Sequence, residues 1–155
     1  MGRVGPVVAV VALGMVLFGC SKEIKPKEKG VWVVKGEQLV ALSPITIDTD
    51  FTSEGFLLSY FTAEPTVGVA NGDFYFILYG DYKPFGLRAF ARRNDRYEED
   101  TSKGALSEAL QLGQMKDEDE MFKCRIMQIL QPGIYVLDVQ QKDGTQLRYC
   151  FQVQS

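Results

Sequence analysis

The stretch Leu130-Gln131-Pro132-Gly133-Ile134-Tyr135-Val136-Leu137-Asp138-Val139-Gln140-Gln141-Lys142-Asp143-Gly144-Thr145 decides how this chain folds. Gln131-Pro132-Gly133 breaks one β-rich run from the next, because proline brings no N–H to a ladder and glycine accepts the turn. Lys142-Asp143-Gly144 reverses the following pair. Three strands result: Met121 to Ile129, Ile134 to Gln141 and Thr145 to Val153.

The same texture continues upstream. Val31 to Lys35 and Gln38 to Leu42 flank Gly36-Glu37, a tight turn or a bulge, and Ile45-Thr46-Ile47 alternates as a short strand. Gly55 to Thr62 places Phe56, Leu58 and Tyr60 on one side, with Leu57, Ser59 and Phe61 on the other. Asp73 to Tyr79 is apolar on both sides, so it is either covered twice or offered to a partner. Glu64-Pro65 and Asn71-Gly72 read as turns between these two strands.

Phe85 to Arg93 alternates more cleanly, with Phe85, Leu87, Ala89 and Ala91 inward and Arg88, Phe90 and Arg92 outward. After a turn at Asn94-Asp95, Glu98, Glu99 and Asp100 return beside the arginines. Opposite charges across strands contribute roughly 0.2–1 kcal/mol each, so this hairpin neutralises itself. Thr101 to Glu120 lacks strand texture. Leu106, Ala109, Leu110 and Gly113 suit two helical turns with Ser102 as cap, a short helix near 105–112. Lys116-Asp117-Glu118-Asp119-Glu120 then forms a solvated acidic loop. The expected fold is all-β: one mostly antiparallel β-sandwich over residues 31–155.

Leu130 to Leu137 resembles the E–F corner of immunoglobulin-like and fibronectin type III sandwiches. There a tyrosine just past the corner bonds back to the backbone through its hydroxyl, and Tyr135 stands at that place. The resemblance implies an immunoglobulin-like architecture but no activity, because such sandwiches host many functions.

At the other end, Met1 and Arg3 precede an apolar run from Val4 to Phe18. This run is shorter than the roughly 20 residues of a spanning helix and has the order of a secretory signal. Leu17-Phe18-Gly19-Cys20 resembles the lipobox of bacterial lipoproteins. That resemblance implies a signal peptide over residues 1–19 and acylation of Cys20, which would anchor the mature chain in a membrane of the cell envelope. Ser21 in place of an aspartate implies the outer membrane. Residues 20–30 then serve as lipid anchor and charged tether, since Lys22, Glu23, Lys25, Pro26, Lys27, Glu28 and Lys29 favour extended chain. Such a tether reaches ~30 Å at ~3.3–3.6 Å per residue.

Composition narrows the function. The chain of 155 residues has a net charge of −3 and no histidine. An acidic balance leaves no footprint for nucleic acid. Without histidine the commonest general base and zinc ligand are both missing. Asp48, Asp50 and Glu54 are the nearest approach to a calcium cluster, but they lack the glycine-centred loop, and a polar turn explains them. No Ser-x-x-Lys and no glycine-rich phosphate loop occurs. No catalytic residue, metal or cofactor is therefore expected.

Cys124 and Cys150 are the candidates for a disulfide, which an oxidising compartment favours. Periodicity points the other way. Cys124 shares a face with Phe122 and Ile126, and Cys150 shares one with Arg148 and Gln152. Only a bulge in one strand would bring the sulfurs to one side. Among the aromatic and basic residues, Tyr79, Tyr82, Arg88, Phe90 and Arg92 are the candidates for a binding face. The expected role is non-enzymatic: docking of a protein partner in the envelope, or support of an assembly there. The alternative is a glycan- or peptidoglycan-binding module built on exposed aromatics, and the third reading is a carboxylate-dependent hydrolase.

Overall fold

The computed structural model describes residues 22–155. The expected signal peptide and acylation site, residues 1–20, lie outside the described residues. Twelve strands follow in chain order: β1 (Gly30–Lys35), β2 (Gln38–Ala41), β3 (Asp48–Phe51), β4 (Leu57–Phe61), β5 (Gly68–Ala70), β6 (Phe74–Tyr79), β7 (Tyr82–Arg93), β8 (Arg96–Glu99), β9 (Leu110–Gln114), β10 (Met121–Ile126), β11 (Gly133–Gln141) and β12 (Gln146–Gln154). They form a five-stranded sheet, β2-β1-β6-β10-β9, packed on a seven-stranded sheet, β3-β4-β8-β7-β11-β12-β5. The protein is an all-β sandwich.

Within these sheets, β1-β6-β10-β9 follows the A-B-E-D order of immunoglobulin sandwiches, and β8-β7-β11-β12 follows C′-C-F-G. The short β5 lies parallel to β12, and the other pairings are antiparallel. The segment carrying β2, β3 and β4 is an insertion into this order. The corner read from the sequence is where the chain crosses from β10 in one sheet to β11 in the other. Tyr135 Oη donates there to the carbonyl of Gln131 at 2.7 Å.

Inward residues of both sheets make one core. Val31, Val33, Phe76, Leu78 and Cys124 meet Leu87, Ala89, Tyr135, Leu137, Val139, Tyr149, Phe151 and Val153. Phe151 is its centre, with Phe74, Phe76 and Tyr135 rings at 5.2–5.8 Å. In β7 a register shift opposite Asp138 and Val139 pairs them with Gly86 and Pro84, which leaves Phe85 as the extra residue. Phe85, expected inward, is exposed for that reason.

The doubly apolar β6 is covered twice. Its second face, Tyr75 and Ile77 with Tyr79, joins Val34, Met115 and Met121 in a separate cluster on the outer surface of the five-stranded sheet. Ile24 packs on this cluster and Pro26 is buried. The charged segment is thus a strap rather than a free spacer. Glu23 pairs with Lys123 at 2.7 Å, Lys25 with Glu118 at 3.2 Å and Lys29 with Glu120 at 3.2 Å. The acidic loop is its electrostatic counterpart, which the local composition of either segment alone does not reveal.

Further expectations change. The helix near 105–112 is replaced by a single 3₁₀ turn, Ser107–Ala109, followed directly by β9. Leu110 and Leu112 then sit beside Ile126 and Cys124 of β10, a period of two that Gly113 favours over helix. Another 3₁₀ turn, Thr101–Lys103, is capped by Asp100, which accepts from Ser102 N at 3.1 Å, so Ser102 is not the cap. Ile45 makes an isolated bridge to Arg148 instead of a strand, and the polar run beginning at Asp48 is β3.

Cys124 and Cys150 are free and buried, and they do not form a disulfide. Cys124 points between the sheets, whereas Cys150 points out of the far side of β12 into a cluster with Phe61, Phe90, Tyr97 and Val136. β12 runs in unbroken register from Gln146 to Val153, so no bulge reverses the side to which Cys150 points.

Candidate functional site

The outer surface of the seven-stranded sheet carries three of the five predicted contact residues. Arg88 makes a bidentate pair with Asp138, both bonds at 2.7 Å, and reaches Glu99 at 3.3 Å. Among the described residues Asp138 is the one buried charged side chain, 4 % exposed. Gly86 faces it across the ladder, and a Cβ there would stand 2.9 Å from Asp138 Oδ2. Arg88 therefore serves the fold.

Further along the same surface, Arg92 lies 3.2 Å from Glu64, and the Tyr97 hydroxyl donates to that carboxylate at 2.6 Å. This bond and burial hold the Tyr97 hydroxyl above its ordinary pKa. Arg96 pairs with Glu98 at 2.8 Å and lies over the Tyr60 ring at 4.3 Å. The basic and acidic strands neutralise each other as read from the sequence.

Phe90 does point away from the sandwich interior, but it is 4 % exposed. It meets the Phe61 ring edge-on at 5.1 Å, with Ile45 and Ile47 packed against the cluster. Tyr82 packs against the main core and Tyr79 lies on the outer side of the opposite sheet. The five predicted residues are thus not brought together on one surface. Periodicity assigned each residue to a face, but it carried no information about what the 43–47 segment would cover.

A different surface emerges at the β3–β4 hairpin. Its loop is firmly closed: Thr52 N donates to Phe56 O at 2.8 Å, Gly55 N to Thr52 O at 2.9 Å, and Phe56 N to Thr52 Oγ1 at 3.1 Å. Gly55 takes φ +85°, a conformation L side chains rarely adopt. β4 pairs with β8 only at Tyr60 and Phe61, so Leu57 to Ser59 and all of β3 overhang the sheet. Phe51 lies directly opposite Leu57, on the side of the hairpin that includes the buried Phe61. Phe51 is 72 % exposed, Phe56 65 % and Leu57 68 %. On that face Ser59 and Thr49 separate Phe61 from the Phe51–Leu57 pair, which stands in solvent at the hairpin's end. The signal that could have found it is Phe51 on one side of Thr52-Ser53-Glu54-Gly55 and Phe56-Leu57 on the other, around a turn sequence too short to bury them.

Among the described residues, no group of three or more His, Cys, Asp or Glu side chains is placed to hold a metal ion. No described helix is long and apolar enough to cross a membrane. Fold and surface define an all-β sandwich with an overhanging apolar hairpin. Comparison of the chain with protein-family models, curated proteins and solved structures finds no match.

Proposed function

We propose that this chain is an envelope lipoprotein, anchored through acylated Cys20, that docks a protein partner without catalysing a reaction. The anchor rests on the likeness of Leu17-Phe18-Gly19-Cys20 to a lipobox. The docking role rests on one observation: Phe51 and Leu57 stand opposite each other on a hydrogen-bonded hairpin with Phe56 next in the chain, each about two-thirds exposed or more. Holding three large apolar groups in water sacrifices burial worth about 1.5–3 kcal/mol apiece, which a partner's surface would recover. Of the rings that a glycan site would use, Phe90 is packed inside the fold, and Tyr79 and Tyr82 are half-buried in different clusters.

Two measurements test the reading in a Gram-negative host. Labelled fatty acid should enter the wild-type chain and be lost in Cys20→Ala. A photo-crosslinking residue at position 56 should give discrete protein adducts in the envelope, while one at position 143 should not. Label persisting in Cys20→Ala would remove the anchor. A chain that gives no adducts and is retained on insoluble cell wall would replace protein docking with wall binding.

A further inference from the structure

The five-stranded sheet ends at β9, Leu110-Gln111-Leu112-Gly113-Gln114, a strand with no charge and no proline. Sheet edges are ordinarily protected by such residues, by bulges or by cover, because an open edge offers backbone groups to another strand. The open groups of β9 can be identified. Met115 N bonds to Met121 O at 2.9 Å and Met127 N to Ala109 O at 2.7 Å. In an antiparallel ladder the bonded positions alternate, so Gln111 and Gly113 also bond to β10. Leu112 and Gln114 therefore direct their N–H and C=O groups away from the sheet. Among the described residues nothing pairs with them.

A groove runs beside this edge, between the two sheets, with a volume of about 480 Å³. Leu112 and Phe122 line one side, Tyr82 the other, and Leu112 is 42 % exposed. A strand added to β9 would send alternate side chains into this groove and the intervening ones over Gln111 and Gly113. The charges on the face of Gln111 and Gly113 select what those intervening residues are. Lys83 and Lys142 line the groove, and Lys116 and Arg125 line the hollow on the other face of β9. None of the four makes an ion pair among the described residues. The acidic residues there are Asp81 and Glu23, and Glu23 is already paired with Lys123. This basic surround belongs to a chain of net charge −3.

We propose that β9 receives an extended segment of a partner protein in which apolar residues alternate with acidic ones. Backbone bonds at Leu112 and Gln114 hold it, its apolar residues fill the groove, and its carboxylates meet Lys116 and Arg125 on the other face of β9. Pairing of β9 with a second copy is disfavoured, because it would bring the same cations against each other. This surface goes beyond the hairpin and does not depend on it.

The test uses the full chain in detergent and a labelled, end-capped octapeptide alternating valine with glutamate. Fluorescence anisotropy should show saturable binding, and the valine–lysine counterpart should show none. Leu112→Pro and Gln114→Pro each remove an N–H that faces away from β10, so the ladder inside the sheet is untouched. Each should weaken binding about tenfold or more, with an unchanged thermal midpoint for at least one of them. Hydrogen exchange at the Leu112 and Gln114 amides should slow when the acidic peptide is bound. Binding that survives both proline variants, or leaves those amides unprotected, would reduce the site to charge attraction and overturn the proposal. Absence of binding, or a concentration-dependent dimer abolished by Leu112→Pro, would overturn it as well. Adducts at position 56 are read separately, so failure here leaves the hairpin reading intact.

Discussion

The hydroxyl of Tyr135 donates a 2.7 Å hydrogen bond to the carbonyl of Gln131, closing the corner at which the chain changes sheets. The ring meanwhile stacks on Phe151 at 5.8 Å. Tyr135→Phe keeps the stacking and loses the bond, so it should cost about 1 kcal/mol in urea unfolding. Tyr135→Ala loses both and should cost about 3–5 kcal/mol. Equal costs for the two would mean that the hydrogen bond, not the ring, holds the corner.

The two buried cysteines should count as free thiols. In the unreduced, denatured chain a maleimide should label both Cys124 and Cys150. In the folded chain labelling should be slow, because burial raises both thiols above their ordinary pKa and suppresses the reactive thiolate. Absence of label under denaturing, unreduced conditions would show a bridge.

Stability should fall on the alkaline side. Burial pushes the Cys124 thiol from its ordinary value near 9 up to about 11. Below pH 9 both folded and unfolded chains carry the neutral thiol, and this contribution to stability is fully present. Above pH 9 the unfolded chain ionises first, so stability is lost as pH climbs through the folded value, by about 2–3 kcal/mol for this group. Tyr149, pushed up to about 12 by burial, extends the loss to higher pH. Chemical denaturation at pH 8 and pH 10.5 checks the sign, and Cys124→Ala should flatten the slope between them.

Phe51→Ser and Leu57→Ser alter exposed side chains and should change unfolding free energy by no more than about 0.5 kcal/mol. Both should abolish the crosslinks expected at the hairpin. A large loss of stability would instead place these residues in the fold.

The strap should depend on its apolar contact more than on its charges. Lys25 and Lys29 make surface ion pairs, worth about 0–1 kcal/mol each. Ile24→Asp puts a carboxylate on the Val34–Ile77–Met121 cluster and should destabilise by about 1–3 kcal/mol. Lys25→Gln with Lys29→Gln should cost less than Ile24→Asp, measured by thermal unfolding in low salt.

How much was legible in the sequence differs from one part of the chain to another, for physical reasons. The strands from Met121 onward were readable because Pro132-Gly133 and Asp143-Gly144 mark their ends locally. Tyr135 was readable because its partner lies only four residues away. The strap was not, because the partners of Lys25 and Lys29 stand more than ninety residues along the chain. β9 was not, because Leu106, Ala109 and Leu110 match a helical period until the neighbouring β10 selects the alternation of two. The Arg88–Asp138 pair hid for a related reason: the two residues stand fifty positions apart, and only the β7–β11 register joins them.

The docked strap also shortens a leash. From Cys20 to Glu23, the first residue held by an ion pair, is three residues of chain, or ~10 Å at full stretch. A free charged spacer would let the sandwich roam a dome of ~30 Å radius over the bilayer. With acyl chains on Cys20, the docked body would instead ride close to the lipid heads, near one fixed tilt. A partner would then have to reside in or against the same membrane, because anything farther out lies beyond the sweep of this domain.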